Sequence, residues 1–135
     1  MPAVARIVGL AVLLAWAPAV LAQSATETAL RETITRQLDA MKRGDAPAAF
    51  AIASPAIQAM FGDAGNFMSM VERGYPQIHR ARSHRFLKLD AAEGKLIQRV
   101  LIESDIGLAV ARYEMVVIDG AWRINGCSLE RPDGA

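Results

Sequence analysis

Residues 96–129 read LIQRVLIESDIGLAVARYEMVVIDGAWRINGCSL, and this stretch decides the fold. β-Branched and aromatic residues dominate three runs, with turn residues between them at 104–107 and at 119–120. Asp-Gly between two such runs is the strongest short-range signal of a β-hairpin. The stretch therefore predicts three antiparallel strands.

The Asp-Gly turn at 119–120 also predicts how the last two strands pair. A two-residue loop pairs Ile118 with Ala121, so Met115 lies opposite Ile124. Because successive side chains point to opposite faces of a strand, one face becomes a packing surface. Its predicted members are Tyr113, Met115, Val117, Trp122 and Ile124.

The opposite face carries polar side chains through its middle. It is predicted to hold Arg112, Glu114, Arg123, Asn125 and Cys127. A three-residue loop at 105–107 would pair Ser104 with Leu108 and place Gln98 beside Glu114. Five residues then form the candidate pocket or interface: Gln98, Arg112, Glu114, Arg123 and Asn125.

Three interpretations of this polar row stay open. The row could orient a ligand in a pocket, with Glu114 as a general base if burial raises its pKa. It could be an exposed ladder in which Glu114 pairs with neighbouring arginines. It could also meet a second copy of the chain, giving a homodimer through the sheet.

The N-terminus has the pattern of a cleaved signal peptide. Residues 1–22 contain one charge, at Arg6, followed by an apolar run that Pro18 interrupts and that is short for a membrane span. Val20 and Ala22 are the small residues expected before a cleavage site at Gln23. We therefore expect a signal peptide at 1–22, a single domain at 23–135, and a periplasmic or secreted protein that does not stay in the membrane after cleavage.

Composition excludes several classes of function. Removing residues 1–22 lowers the formal net charge from +1 to zero, which argues against a nucleic-acid or anionic-membrane binder. The single cysteine, Cys127, permits no internal disulfide and is expected to be a small buried apolar residue. No phosphate-binding loop, dinucleotide fingerprint, nucleophile elbow or zinc motif occurs, so no cofactor and no metal site are predicted.

Helical patterns fill the chain before the strands. Ser24-Ala-Thr-Glu27 fits a capping box for a helix that ends at Arg43 before Gly44, with Leu30, Ile34, Leu38 and Met41 on one face. Three short helices follow. The first begins after Asp45, the second after Ser54, and the third contains Phe67 and ends at Gly74.

A basic segment joins the helices to the first predicted strand, His84–Leu89. Residues 73–88 hold five Lys or Arg residues, two histidines and no acid. Arg80, Arg82 and Arg85 could form an anion-binding patch. The segment could equally be a solvated linker.

A long helix, short helices and a strand meander together resemble the cone-shaped α+β fold of nuclear transport factor two and the ketosteroid isomerases. Residues 67–76 (FMSMVERGYP), 96–100 (LIQRV) and 122–127 (WRINGC) are similar to a narrower family of small exported bacterial proteins, domain of unknown function 4864. The resemblance covers residues 23–135. It implies the cone-like fold and no activity.

The sequence thus predicts an α+β fold, with a long N-terminal helix and short helices packed on a curved antiparallel meander of about four strands. The predicted function is a non-catalytic module that binds a small or anionic ligand or a protein partner. The alternative is an isomerase or dehydratase that uses Glu114 as general base in a cone-shaped pocket.

Overall fold

The computed structural model describes residue 9 and residues 17–132 of the chain. Helices come first and strands last along the described part. The helices are α1 (Ala17–Arg43), α2 (Ala46–Ile52), α3 (Pro55–Phe61), α4 (Ala64–Gly74) and α5 (Pro76–His79). The strands are β1 (Ala81–Ala92), β2 (Lys95–Ser104), β3 (Gly107–Ile118) and β4 (Ala121–Glu130).

The long helix α1 ends at Arg43 as predicted, but it begins at Ala17 and not after Ser24. A capping box starts a helix only where the preceding residues are not helical. Residues 17–23 are mostly good helix formers, and Pro18 is tolerated in a first turn. The predicted signal peptide, 1–22, lies mostly outside the described residues.

The short helices begin at the predicted caps. The Asp45 carboxylate accepts a hydrogen bond from the Ala48 amide at 3.1 Å, and the Ser54 hydroxyl accepts one from the Ile57 amide at 3.3 Å. These side chains satisfy amide groups that have no partner within the helix. Helix α5 was not predicted; it replaces part of the expected linker at 73–88.

The four strands form one antiparallel sheet in the order β1-β2-β3-β4, so the predicted α+β class with a four-stranded meander is confirmed. β2, β3 and β4 agree with the predicted strands to within one residue at each end. β1 is longer than expected, beginning at Ala81 rather than His84.

The predicted pairing of β2 with β3 is wrong by one residue. Ser104 pairs with Gly107, which leaves a two-residue loop at 105–106. Gly107 adopts φ +115, and the Ser104 hydroxyl donates to the Gly107 carbonyl at 2.8 Å, which tightens the turn. A shift of one residue moves every side chain to the other face, so Gln98 lies opposite Tyr113 and not beside Glu114.

The predicted pairing of β3 with β4 holds from the turn to Met115 and Ile124 and then changes. Glu114 pairs with Gly126, so Asn125 is the additional residue of a β-bulge. Beyond the bulge, Cys127 pairs with Tyr113 and belongs to the packing face, contrary to the prediction.

The core lies between the inner face of the sheet and the helices. Leu30, Ile34, Leu38 and Met41 of α1 are buried, as are Tyr113, Met115 and Ile124 from the predicted packing face. Trp122 is partly buried against them, whereas Val117 is 52% exposed near the end of β3. Among the described residues, no helix has both the length and the apolar character needed to span a membrane.

Candidate ligand-binding site

A cavity of about 200 Å³ lies between the sheet and the helices. Met41 of α1, Ile57 of α3, Val71 of α4 and Ile124 of β4 contribute to its walls. Methionine and aromatic side chains make up much of the remaining lining, and the flexible methionines can adapt to an occupant. The cavity is therefore predominantly apolar.

The cavity reaches the protein surface beside α3. Met60 of α3 lines it and is 71% exposed, whereas Phe67 and Val71 of α4 line it and are buried. The glycine at Gly62, with φ +80, ends α3 and lets the chain turn into α4. Two short helices thus form the outer wall near the opening.

The otherwise apolar wall includes the polar side chains of Gln37, Tyr75 and Tyr113. Tyr113 is 0% exposed, and its hydroxyl has no hydrogen-bond partner among the described residues. Gln37 of α1 is 4% exposed and also lines the cavity. Buried polar groups are normally paired, so this wall differs from an ordinary core.

The second tyrosine of the cavity is paired. The Tyr75 hydroxyl donates a hydrogen bond to the Cys127 backbone carbonyl at 2.9 Å. This contact joins the loop before α5 to β4 at the cavity wall. The two phenols therefore differ: the Tyr75 hydroxyl has a protein partner, and the Tyr113 hydroxyl has none within the residues that the structure describes.

Burial keeps the titratable groups of this wall protonated. It raises the pKa of the Cys127 thiol to about 12 and raises the pKa of Tyr113 well above 10, with a smaller contribution from Cys127. The pKa of Tyr75 is raised for the same two reasons. At neutral pH the wall thus presents uncharged hydroxyl and thiol groups.

The polar residues predicted from the sequence lie elsewhere. Gln98 is fully buried on the inner face, where its amide donates to the Leu87 carbonyl at 3.0 Å and accepts from the Arg31 guanidinium at 3.1 Å. It holds α1 against the irregular part of β1. The predicted row of Gln98, Glu114 and Asn125 does not form, because the β2–β3 register differs by one residue.

Glu114 and Asn125 do come together, on the outer face. The Asn125 amide donates to the Glu114 carboxylate at 2.9 Å, and Lys95 lies 2.8 Å from the other carboxylate oxygen. The hydrogen bond from Lys95 lowers the pKa of Glu114, more than burial raises it. Glu114 is thus held as a carboxylate, and its partner is Lys95 rather than Arg112 or Arg123.

The two arginines of the predicted site make separate contacts. Arg123 donates to the Ala51 carbonyl at 2.7 Å, near the end of α2, while Arg112 lies 3.9 Å from Glu130. The five predicted site residues therefore occupy four different environments and do not converge on one cavity.

The arginines of the basic segment also make separate contacts. Arg80 forms an ion pair with Asp105, and its hydrogen bond lowers the pKa of that carboxyl. Arg85 pairs with Leu101 in the sheet, and the Arg82 carbonyl accepts a hydrogen bond from Lys42. An anion patch at Arg80, Arg82 and Arg85 stays a prediction.

Sequence reasoning placed Tyr113 on the packing face but assigned it no function. The available signal was a phenol within a stripe of aliphatic residues, because a buried tyrosine hydroxyl needs a partner. Gln37 gave a similar signal, since it falls on the apolar stripe of α1 between Ile34 and Leu38. Neither signal reveals whether a partner is present until the fold is known.

The chain matches the family model described as Domain of unknown function (DUF4864) over residues 23–135. The match covers most of the chain, so the protein belongs to this family, as the resemblance of its motifs indicated. No curated protein and no solved structure matches the chain.

Proposed function

We propose that the protein is a binding module that holds a small, largely apolar molecule in the cavity between the sheet and the helices. One observation carries this proposal: an apolar cavity of about 200 Å³ is lined by a fully buried tyrosine whose hydroxyl has no hydrogen-bond partner in the described part of the chain. Binding pockets are typically apolar concavities with a few polar groups that orient the ligand.

The volume limits the size of the ligand. An apolar cavity of about 150 Å³ is large enough for benzene. The cavity observed here is somewhat larger, at about 200 Å³. The expected ligand is therefore a single ring or a short branched chain with one or two substituents.

The residues of the cavity favour binding over catalysis. Among the described residues that line it, none is Asp, Glu, His, Lys or Arg. The phenols and the thiol that are present have raised pKa values and cannot serve as bases at neutral pH. The alternative of an isomerase with Glu114 as base gains no support, since Glu114 has a lowered pKa and pairs with Lys95.

We also propose that the protein is exported to the periplasm or beyond. The signal-peptide pattern at 1–22 supports this, and the family match begins at Gln23, directly after the predicted cleavage site. A small-molecule binder outside the cytoplasm would meet ligands in the extracellular medium.

Benzene titration of two matched variants tests the binding proposal. Val71→Phe adds a ring inside the cavity, whereas Val117→Phe makes the same change at an exposed position of β3. We expect benzene to bind the parent and Val117→Phe and to raise their unfolding free energy. The rise is about 1.4 kcal/mol when benzene is at ten times its Kd.

Val71→Phe should lose this stabilisation while remaining folded, as judged by circular dichroism and thermal melting. Loss of binding in both variants, or equal stabilisation of both, would show that benzene does not occupy the cavity. Failure of benzene to stabilise the parent at its solubility limit would also contradict the proposal.

A further inference from the structure

The hydroxyl of Tyr113 indicates which chemical class of ligand the cavity takes. This oxygen is buried, and no described residue offers it a hydrogen bond. An unpaired buried hydroxyl costs free energy that a phenylalanine at the same position would avoid. The packing of Tyr113 alone therefore does not account for its hydroxyl.

Tyr113 lies on the cavity side of β3. Tyr113 lines the cavity and pairs with Cys127 across the sheet, and Cys127 lines the same cavity. Because Tyr113 is fully buried, a ligand in the cavity reaches this oxygen only if the flexible methionine side chains of the wall shift.

The charge of the wall excludes ionic ligands. The described lining residues include no lysine, arginine or histidine that could pair with a carboxylate or phosphate, and no acid that could pair with an amine. Burying an unpaired charge is strongly unfavourable. The ligand must therefore be neutral where it meets Tyr113.

We propose that the ligand carries a neutral acceptor oxygen, such as that of a ketone, aldehyde, ester or alcohol, and that the Tyr113 hydroxyl donates a hydrogen bond to it. This inference rests on the proposed binding function and specifies the ligand class. Because the phenol stays protonated at neutral pH, it is available as a donor. The Gln37 amide gives a second polar contact on the α1 side of the cavity.

Two probes of nearly equal shape distinguish the contribution of this hydrogen bond to affinity from that of apolar burial. Cyclohexanone has a carbonyl oxygen where methylenecyclohexane has a CH₂ group. Affinities for both are measured by NMR titration of the full chain and of Tyr113→Phe. We expect Tyr113→Phe to weaken cyclohexanone binding about three- to tenfold, the range for loss of one neutral hydrogen bond, and to leave methylenecyclohexane binding unchanged.

A control variant addresses folding. Tyr75→Phe removes a phenol that donates to the Cys127 carbonyl, so it should lower the melting temperature. Tyr113→Phe removes a hydroxyl without a protein partner, so its melting temperature should equal or exceed that of the parent. A melting temperature for Tyr113→Phe well below the parent value would show that its hydroxyl is paired within the protein, and would overturn the inference.

The remaining outcomes distinguish this inference from the proposed function. If both probes bind and Tyr113→Phe weakens neither, or weakens both equally, the ligand class is wrong although the cavity binds. If neither probe binds the parent, both proposals fail. Binding of cyclopentanecarboxylate in the cavity at neutral pH would contradict the requirement for a neutral ligand.

Discussion

At the scale of single residues, Glu114 shows how the environment decides the role of a carboxylate. It lies on the outer face with its side chain 18% exposed, between Lys95 and Asn125. A catalytic base that works near neutral pH needs a raised pKa. The hydrogen bond from Lys95 has the opposite effect, so Glu114 is a structural anion that orders Asn125.

The lowered pKa of Glu114 predicts how stability depends on pH. Ionised Glu114 stabilises the fold above its ordinary pKa of 4.5, and this contribution is lost as the pH falls through the lower pKa of the folded state. Glu114→Gln should therefore cost at most about 1 kcal/mol at pH 7, because partly exposed ion pairs contribute little. Its stability should also fall less than that of the parent below pH 4.5.

Urea denaturation from pH 7 to pH 3 measures both effects. Lys95→Gln is the matched control, since it removes the partner of Glu114. It should likewise reduce the loss of unfolding free energy at acid pH. In the double variant, the unfolding free energy should depend on pH as much as it does in Glu114→Gln alone. A Glu114→Gln protein that is more stable than the parent at pH 7 would contradict the ion pair.

At the scale of elements, the β-bulge at Asn125 connects the sheet to the cavity wall. The Ser54 hydroxyl donates to the Asn125 side-chain oxygen at 2.7 Å, and the same hydroxyl caps α3. A backbone hydrogen bond makes the same connection, because the Ser54 amide donates to the Ile124 carbonyl at 2.8 Å. The bulge thus determines where α3 begins. It thereby also positions Ile57 and Met60, which line the cavity.

Because of this connection, we expect two helix caps to contribute different amounts to the unfolding free energy. Asp63 caps α4 at the surface, with its carboxylate 2.7 Å from the Asn66 amide, whereas Ser54 is 1% exposed. Asp63→Ala should cost about 1 kcal/mol. Ser54→Ala should cost about 2–3 kcal/mol, because it also leaves the partly buried Asn125 oxygen without its donor.

Equilibrium denaturation of both variants measures the difference. Equal costs would mean that the Ser54–Asn125 contact adds nothing beyond the cap. A benzene titration of Ser54→Ala adds a functional result, since displacement of α3 should weaken binding in the cavity.

These elements could be predicted from the sequence only where neighbouring residues specify them. The Asp119-Gly120 turn is specified by two residues with positive φ, so its register was predictable. The loop at 105–107 fits either two or three residues, and the choice depends on Ser104 and Gly107 contacts that the sequence does not rank. The bulge at Asn125 depends on Ser54, 71 residues away, and no local pattern could reveal it.

At the scale of the whole molecule, the order of helices and strands determines the architecture. The apolar stripe of α1 and the three terminal strands were enough to predict an α+β fold with an antiparallel meander. The cavity could not be predicted, because its walls come from residues spread between Gln37 and Cys127. The cone-like shape and a homodimer through the sheet remain predictions.

The proposed export makes a prediction about the mature chain. Cleavage before Gln23 would remove the first turns of α1 but leave the buried stripe that begins at Leu30. We expect mass spectrometry of the protein recovered outside the cytoplasm to show loss of residues 1–22. Recovery of the full-length chain in the membrane fraction would contradict the proposal.

The central claim is that the cavity beneath the helices holds a small ligand. Intermolecular nuclear Overhauser effects between a saturating ketone probe, cyclohexanone, and the protein test it most directly. We expect contacts from the probe to the methyl groups of Met41 and Val71 and to the ring of Tyr113. Contacts confined to exposed side chains such as Leu108 and Val117, or none at all, would contradict it.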